Sequence, residues 1–413
     1  MYSPLVLMWL LIWQRLQGAA PLDAVVIDLL QTLPACFWPN PCKRVQEWQQ
    51  SGKPVSSHTA AYNQARQRLP LWIVEKSCDQ IFERLMERLH PAREDGERSA
   101  FFLDGSSMRL AHSPALVERF PPSSNQHGES HWPVMRVLVA HDLRTGLAMR
   151  PQWGPMYGNQ AVSEQQLLED CIDRLPAGAV VVGDSNFGVF SVAWAATQKG
   201  YPVVLRLTWE RAKRLLGKDP KKGMDRKVEW RPSPHERKHH PGLPPEACVR
   251  GRVMVRHVQP RKEEKPYLLV LFATLPEPAK QVVKLYGQRW NIETDLRTLK
   301  SHLCMEQLCC ATAEMAAKEI EMAIAAYNLV RAVICRAAQE SGLQPRDYSF
   351  SRASRIVQSF APTIGSASSP AEAKRHWDRM MYFLKQAKLS RRKRKSYPRA
   401  VWGTGEQYPK HKK

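Results

Sequence analysis

The stretch from Lys284 to Lys300 reads KLYGQRWNIETDLRTLK, and its pattern predicts a helix with one chemically distinctive face. That face is formed by Tyr286, Arg289, Glu293 and Lys300. Their spacings of three, four and seven residues place them on one side of a helix with 3.6 residues per turn. Arginine and lysine bind phosphates, and glutamate is a ligand for hard cations. The face suits a metal-bound phosphodiester, although the i,i+4 pairs around Glu293 would also support a solvated helix.

Two aspartates upstream come directly after predicted buried strands. Asp104 follows the apolar run 101–103, and Asp184 follows the run 180–183. Side chains that bind ligands gather at strand ends in parallel and mixed sheets. Two carboxylates at such a place repel each other unless a cation lies between them. The pair therefore predicts a metal site, while ordinary turn chemistry remains the alternative for each aspartate taken alone.

The Tyr–(2)–Arg–(3)–Glu–(6)–Lys spacing, together with the two aspartates in this order, resembles the signature of IS4-family DDE transposases. The resemblance covers roughly residues 55–345. It implies an α/β fold, with an RNase H-like mixed sheet flanked by helices and a β-rich insertion between the second aspartate and the glutamate. The chain departs from the family at Ser185 and Asn186, where many members carry an arginine and an aromatic residue.

The resemblance also implies a function. Asp104, Asp184 and Glu293 are expected to form the catalytic triad and to hold Mg²⁺, as two ions for which Mn²⁺ can substitute. The expected activity is that of an insertion-sequence transposase, which cleaves and transfers DNA strands at terminal inverted repeats by cut-and-paste. A homodimer in a synaptic complex is the expected assembly. Two alternatives stay open: an RNase H-like nuclease without strand transfer, and an inactive DNA-binding derivative, against which the intact triad argues.

Four side chains of the signature region are expected to contact DNA. By resemblance, Arg289 and Lys300 position the phosphates of the transposon end. Tyr286 contacts the same backbone or braces Glu293. Trp290 neighbours this face and could stack on an unpaired base, but packing in the core is the favoured alternative for a tryptophan.

The chain divides by pattern into five regions. Helical periodicity over residues 1–95 predicts a helical N-terminal DNA-binding region, in which Arg66 and Arg68 are candidate phosphate contacts; a solvated helix end is the alternative. The other regions are an RNase H-like core in two parts (96–205 and 266–345), a basic β-rich insertion (206–265) and a C-terminal region with a basic tail (346–413).

The net charge of +22 is concentrated in two short stretches. Residues 206–265 carry 18 Lys and Arg against eight acidic residues, and residues 388–413 carry ten against one. This distribution excludes a uniformly basic coat and predicts a neutral globular body with two regions that contact DNA phosphates.

The nine cysteines include no CxxC pair, which argues against a zinc finger or a disulfide framework. A reducing cytoplasm, with the protein at the bacterial nucleoid, is the expected location. The apolar run Leu5–Trp13 has no preceding Lys or Arg, so a buried first helix is favoured over a signal peptide.

Overall fold

The computed structural model describes residues 2–32, 42–89, 98–126, 128–259 and 266–389, together with two short strands beyond residue 399. Helices open the chain, as the periodicity predicts. Those before the first strand are α1 (Pro4–Leu16), α2 (Leu22–Thr32), α3 (Lys43–Ser51), α4 (Ala60–Arg68) and α5 (Leu71–Leu89).

Helix α1 forms over the apolar run near the start of the sequence. The Ser3 hydroxyl accepts a hydrogen bond from the backbone nitrogen of Val6, and Pro4 occupies the first turn, where its missing N–H costs nothing. Most side chains from Val6 to Trp13 are buried, which confirms the predicted buried helix. Neither α1 nor any other helix in the described part of the chain is long and apolar enough to cross a membrane.

A mixed sheet, ten-stranded among the described residues, forms the centre of the protein. Its strands are β1 (Ala100–Leu110), β2 (Pro122–Asn125), β3 (Gly128–Asp142), β4 (Gln152–Pro155), β5 (Val180–Gly183), β6 (Val203–Arg206), β7 (Asp225–Trp230), β8 (Val249–Val258), β9 (Tyr267–Ala273) and β10 (Gln307–Leu308). The order across the sheet is β2-β3-β1-β5-β6-β9-β8-β7, with β4 beside β3 and β10 beside β1. Strands β1, β5 and β6 run parallel to one another, and a single helix connects β5 to β6.

Helices flank this sheet and complete the α/β fold. They are α6 (Pro114–Arg119), α7 (Glu164–Ile172), α8 (Phe190–Gln198), α9 (Trp209–Leu216), α10 (Pro234–His239), α11 (Ala279–Gly287), α12 (Trp290–His302), α13 (Ala313–Ser341), α14 (Phe350–Gly365) and α15 (Pro370–Lys385). A 3₁₀ turn spans Pro345–Asp347, and the short strands β11 (Ala400–Val401) and β12 (Lys410–His411) pair with each other. The predicted RNase H-like mixed sheet flanked by helices is confirmed.

The basic insertion extends the central sheet. Strand β7 pairs with β8, β8 with β9, and β9 with β6, all antiparallel. Residues 206–265 therefore contribute two strands to the same sheet that carries the two aspartates, as well as α9 and α10. Residues 260–265 lie outside the described part of the chain.

Helix α13 is buried nearly all round and carries charged side chains into the core. Nη2 of Arg66 donates to Oε1 of Glu319 at 2.9 Å, and Arg15 pairs with the other carboxylate oxygen. Nζ of Lys318 donates to the carbonyl oxygens of Arg66 and Gln67 at 3.2 and 3.0 Å. Buried charges persist only when they are paired in this way, so these contacts join α13 to α1 and α4.

Candidate active site

Asp104 and Asp184 lie at the same level of two neighbouring parallel strands. In β1 and β5, Phe102 pairs with Val182, and each aspartate lies two residues further along the chain. Burial, followed by the negative charges of Asp184 and Glu164, raises the pKa of Asp104 to about 7. The two predicted aspartates thus lie close enough that the charge of Asp184 raises the pKa of Asp104.

The position of Asp104 within β1 differs from the prediction. The apolar run predicts a strand that ends at Asp104, but β1 continues to Leu110. Its second half pairs with β3, from Gly105 opposite Leu138 to Arg109 opposite Val134. The strand continues because β3 supplies hydrogen bonds beyond the point where β5 ends.

Backbone donors orient both carboxylates. The backbone nitrogen of Gly105 donates to Oδ1 of Asp104 at 2.9 Å, and that of Asn186 donates to Oδ1 of Asp184 at 2.8 Å. Nη1 of Arg211 donates to the carbonyl oxygen of Ser185 at 3.1 Å and so braces the turn after β5. The backbone of residue 186 therefore orients Asp184, and this contact does not depend on the asparagine side chain.

A third carboxylate, that of Glu164, joins the aspartates, and the sequence did not predict it. Glu164 is the first residue of α7, which begins with a capping box between Ser163 and Gln166. Its Oε2 accepts a hydrogen bond from Nδ2 of Asn186 at 2.6 Å. An acidic residue after a serine cap is common at helix N-termini, so this pattern gave no specific signal.

The signature stretch forms two helices where the spacing predicts one. Helix α11 ends at Gly287 and α12 begins at Trp290, because glycine is a poor helix former. Tyr286 therefore lies on α11, whereas Glu293 and Lys300 lie on α12. The prediction of one continuous helical face is wrong in this respect.

Arg289 connects Glu293 to the aspartates. Its Nη1 donates to Oε1 of Glu293 at 2.7 Å, and its charge acts to lower the pKa of Asp104. The Glu293 side chain is 36% exposed. Within the described residues, no three His, Cys, Asp or Glu side chains are grouped closely enough to hold a metal ion. Arg289 thus links Glu293 to Asp104, and the three predicted acids do not form a closed ligand set in this part of the chain.

Tyr286 is buried, with 4% of its surface exposed, and its phenol oxygen has no hydrogen-bond partner among the described residues. Burial raises the pKa of Tyr286 to about 12; the charges of Arg289 and Arg206 oppose this shift, and that of Asp184 adds to it. Arg206 ends β6 with its guanidinium over the Tyr267 ring, 5.8 Å from the centroid. The sequence missed Arg206, although it ends the third parallel strand. An unpaired buried hydroxyl is costly, so it suits a ligand that supplies an acceptor.

The other predicted DNA contacts are scattered. Lys300 is half-buried on α12, and the side chain of Trp290 lies outside the described residues. Arg68 is exposed and donates to Gln64 at 3.3 Å. The prediction for Arg66 is corrected: its side chain is 6% exposed, and the ion pair with Glu319 holds the guanidinium inside the protein.

Asp295, two residues after Glu293, is a further buried carboxylate that the sequence missed. Nη1 of Arg346 donates to both of its oxygens at 2.6 Å, and Arg331 of α13 forms a second ion pair with it. Burial acts to raise the pKa of Asp295, but the charges of Arg331 and Arg346 outweigh burial and lower it. This cluster fixes α12, and hence the backbone that carries Glu293, against α13.

Comparison with known proteins agrees with this geometry. A family model described as the transposase DDE domain matches residues 95–329, which is more than half of the chain. The matched segment runs from just before β1 into α13 and contains Asp104, Asp184 and Glu293. None of the curated proteins matches the chain. The protein therefore belongs to the transposase DDE domain family, and DNA is the partner that this membership implies.

Proposed function

We propose that the protein is an insertion-sequence transposase of the IS4 family, which cleaves and joins DNA strands at terminal inverted repeats by a cut-and-paste route. The observation that carries the proposal is the meeting of Asp104 and Asp184 at neighbouring strands, with Arg289 coupling Asp104 to Glu293. The match to the DDE domain supports a transposase, and the Tyr–Arg–Glu–Lys spacing supports the narrower family.

The donor types of the three acids suit a divalent cation. Asp104, Asp184 and Glu293 would hold Mg²⁺, as two ions, with Mn²⁺ as a substitute. Carboxylate oxygens are the ligands that these hard cations take, and a positive charge would offset the burial and the neighbouring negative charges that raise the pKa of Asp104. When bound, such ions activate the attacking hydroxyl and stabilise the leaving oxygen of a phosphodiester.

The surrounding side chains orient the reactants. Arg289 holds Glu293 through Nη1, and a planar guanidinium of this kind is the donor group that binds a DNA phosphate through two parallel hydrogen bonds. Lys300, on α12 with Glu293, adds a positive charge that binds the DNA backbone. The buried Tyr286 hydroxyl donates to a phosphate oxygen that enters the site, or braces Glu293. Trp290, beside this face, either packs in the core, the favoured alternative for a tryptophan, or stacks on an unpaired base.

Basic surfaces outside the site hold the rest of the DNA. In the insertion, the Arg250 side chain is 85% exposed, and Arg68 is exposed on α4. Such charges neutralise phosphates without reading sequence. The basic tail at 391–395 lies outside the described residues. We propose that two copies of the chain act together in a synaptic complex at the nucleoid, because two transposon ends must be cut and joined.

The test is a cleavage and joining assay with the full chain, Mg²⁺ and a labelled duplex that carries the ends flanking the coding region. We expect the wild type to cleave and join the ends, and Glu293→Ala to bind the duplex without cleaving it. Glu306→Ala is a matched control, because the Glu306 side chain is 63% exposed in a surface ion pair with Arg109.

Each outcome separates the proposal from its alternatives. Cleavage by Glu293→Ala at the wild-type rate would remove Glu293 from the catalytic set. Cleavage without joining by the wild type favours a nuclease. DNA binding without cleavage, by wild type and variant alike, favours an inactive DNA-binding derivative.

A further inference from the structure

Glu293 and Asp295 lie on opposite sides of α12. Residues two apart on a helix point in nearly opposite directions, and burial agrees: the Glu293 side chain is 36% exposed, whereas Asp295 is completely buried. A contact that fixes Asp295 therefore also fixes the direction in which the helix presents Glu293. The carboxylate of Asp295 is held by two guanidinium groups, those of Arg331 and Arg346.

These two arginines come from different elements. Arg331 belongs to α13 and is buried, and its Nε donates to the hydroxyl of Tyr327 at 2.9 Å. Arg346 lies in the 3₁₀ turn after α13, and 17% of its side chain is exposed. Nη1 of Arg346 donates to both carboxylate oxygens of Asp295 at 2.6 Å. Replacement of Arg346 leaves Asp295 paired with Arg331, so it tests the hold on α12 without removing every partner of the buried acid.

Arg346 also contacts the central sheet. A β-carbon built on Gly146 would lie 2.9 Å from Nη2 of Arg346 and 3.0 Å from its Cζ, so the guanidinium fills the space beside this glycine. Gly146 lies in the loop after β3, and β3 pairs with β1 so that Val139 lies opposite Asp104. Arg346 thus lies between the helix that carries Glu293 and the loop of the strand beside Asp104.

The end of the C-terminal helical pair holds the turn that carries Arg346. The backbone nitrogen of Leu389 donates to the carbonyl oxygen of Asp347 at 2.7 Å, and that of Ser349 donates to the carbonyl oxygen of Ala387 at 2.8 Å. The chain after α15 is therefore bonded to the residues that flank Arg346. All these residues lie beyond the segment that matches the transposase DDE domain.

We propose that Arg346 is a positioning residue for DNA cleavage: by holding Asp295 from the C-terminal region, it fixes the direction in which α12 presents Glu293. The inference rests on the proposed function, since it assigns Glu293 to the catalytic set. It gives the region after α13 a part in the reaction itself, in addition to the positive charge of its tail. A catalytic group misplaced by about 1 Å costs up to about 100-fold in rate, so the loss of this contact is measurable.

The test uses the full chain, Mg²⁺ and a labelled duplex that carries the ends flanking the coding region. It measures the dissociation constant of the duplex and the single-turnover rate of cleavage when all of the duplex is bound. We expect Arg346→Ala to cleave about ten- to a hundredfold more slowly than the wild type, with an unchanged dissociation constant. Arg346→Lys should recover most of the rate, because a single nitrogen makes both bonds to Asp295 and an ammonium group can donate in the same way.

Two controls separate positioning from other effects. Arg336→Ala should cleave as the wild type does, because the Arg336 side chain is 58% exposed and pairs with Glu340 at the surface. Leu29→Ala removes a buried side chain of α2 and should lower the melting temperature without slowing cleavage of the bound duplex. Thermal unfolding identifies a temperature at which every variant is folded, and the rates are compared there.

The outcomes for Arg346 and for Glu293 are distinct. If Glu293→Ala is inactive while Arg346→Ala cleaves at the wild-type rate, only the positioning role is overturned. That role is also overturned if Leu29→Ala slows cleavage as much as Arg346→Ala, or if Arg346→Ala weakens DNA binding and leaves the rate unchanged. If the wild type does not cleave, or Glu293→Ala cleaves as the wild type does, the proposed function fails and the positioning role fails with it.

Discussion

Both carboxylate oxygens of Asp295 accept hydrogen bonds from Nη1 of Arg346 at 2.6 Å, inside the protein and two residues from Glu293. The contact holds α12 in one place, because Asp295 is completely buried and its partner follows α13 in the chain. Helix α12 thus carries Glu293 on its more exposed side, in the candidate active site, and Asp295 on its buried side, where it holds the helix in place.

We expect Asp295→Ala to lower the free energy of unfolding by about 3–5 kcal/mol, because it leaves Arg331 and Arg346 without their buried partner. Urea denaturation measures the change. Asp378→Ala is the control: Asp378 pairs with Lys374 on the surface, and such a pair contributes about 0–1 kcal/mol. Equal losses in the two variants would contradict a special role for the buried cluster.

Gly105→Ala should be destabilising by about 0.5–1.5 kcal/mol, because the new methyl group displaces the Glu164 carboxylate from its hydrogen bond with Asn186. The double variant Gly105→Ala/Glu164→Ala should recover part of this loss, since the shorter side chain makes room. Thermal or urea unfolding of the wild type, the two single variants and the double variant gives the coupling energy between residues 105 and 164. Gly242→Ala is the control, because its β-carbon would meet open space. Additive effects at residues 105 and 164 would contradict the overlap.

The pKa of Asp104 predicts a pH dependence of stability in the absence of metal. It rises from an ordinary value of 3.8 to about 7 in the folded protein, so the folded state binds more protons between these values than the unfolded chain does. The stabilising contribution is complete below about pH 4 and is lost as the pH rises through about 7. Unfolding in the presence of EDTA should show this loss in the wild type and not in Asp104→Asn. Parallel pH profiles of the two proteins would rule out the shift.

Arg66 and Arg68 should separate folding from DNA binding. Arg66→Ala should cost about 1.5–3 kcal/mol of unfolding free energy, because Glu319 loses one of its two buried arginine partners. Arg68→Ala should leave the free energy of unfolding unchanged and weaken the binding of duplexes of any sequence. The slope of log binding constant against log salt concentration should fall by about 1, the value expected for the loss of one phosphate contact. Urea denaturation and binding measured over a range of salt concentrations test the pair. A stable Arg66→Ala with weakened DNA binding would restore the original prediction for that residue.

The sequence predicted those features that depend on local pattern. The apolar run before Asp184 forms β5, and the run Leu5–Trp13 forms most of α1. The approach of Asp104 and Asp184 could also be predicted, because neighbouring parallel strands present equivalent positions side by side.

The remaining features depend on which elements pack together, and no local pattern carries that information. Glu164 follows an ordinary helix cap, and only the position of α7 relative to β1 brings its carboxylate to Gly105. Asp295 resembles a solvated helical acid until α13 supplies Arg331. Arg66 has the sequence context of a surface arginine, and only the burial of Glu319 in α13 draws it into the core.

The ion pair between Arg15 and Glu319 joins residues that are 304 positions apart. During synthesis, α1 leaves the ribosome long before α13 exists, so its apolar side lacks this packing partner for most of translation. In a chain that stops before α13, Arg15 and Arg66 lack their partner Glu319, and the apolar side chains of α1 stay uncovered. We expect such a chain to be degraded by proteases more readily than the full chain. The packing of the first helix is therefore completed only after the segment that carries Glu293 has been made.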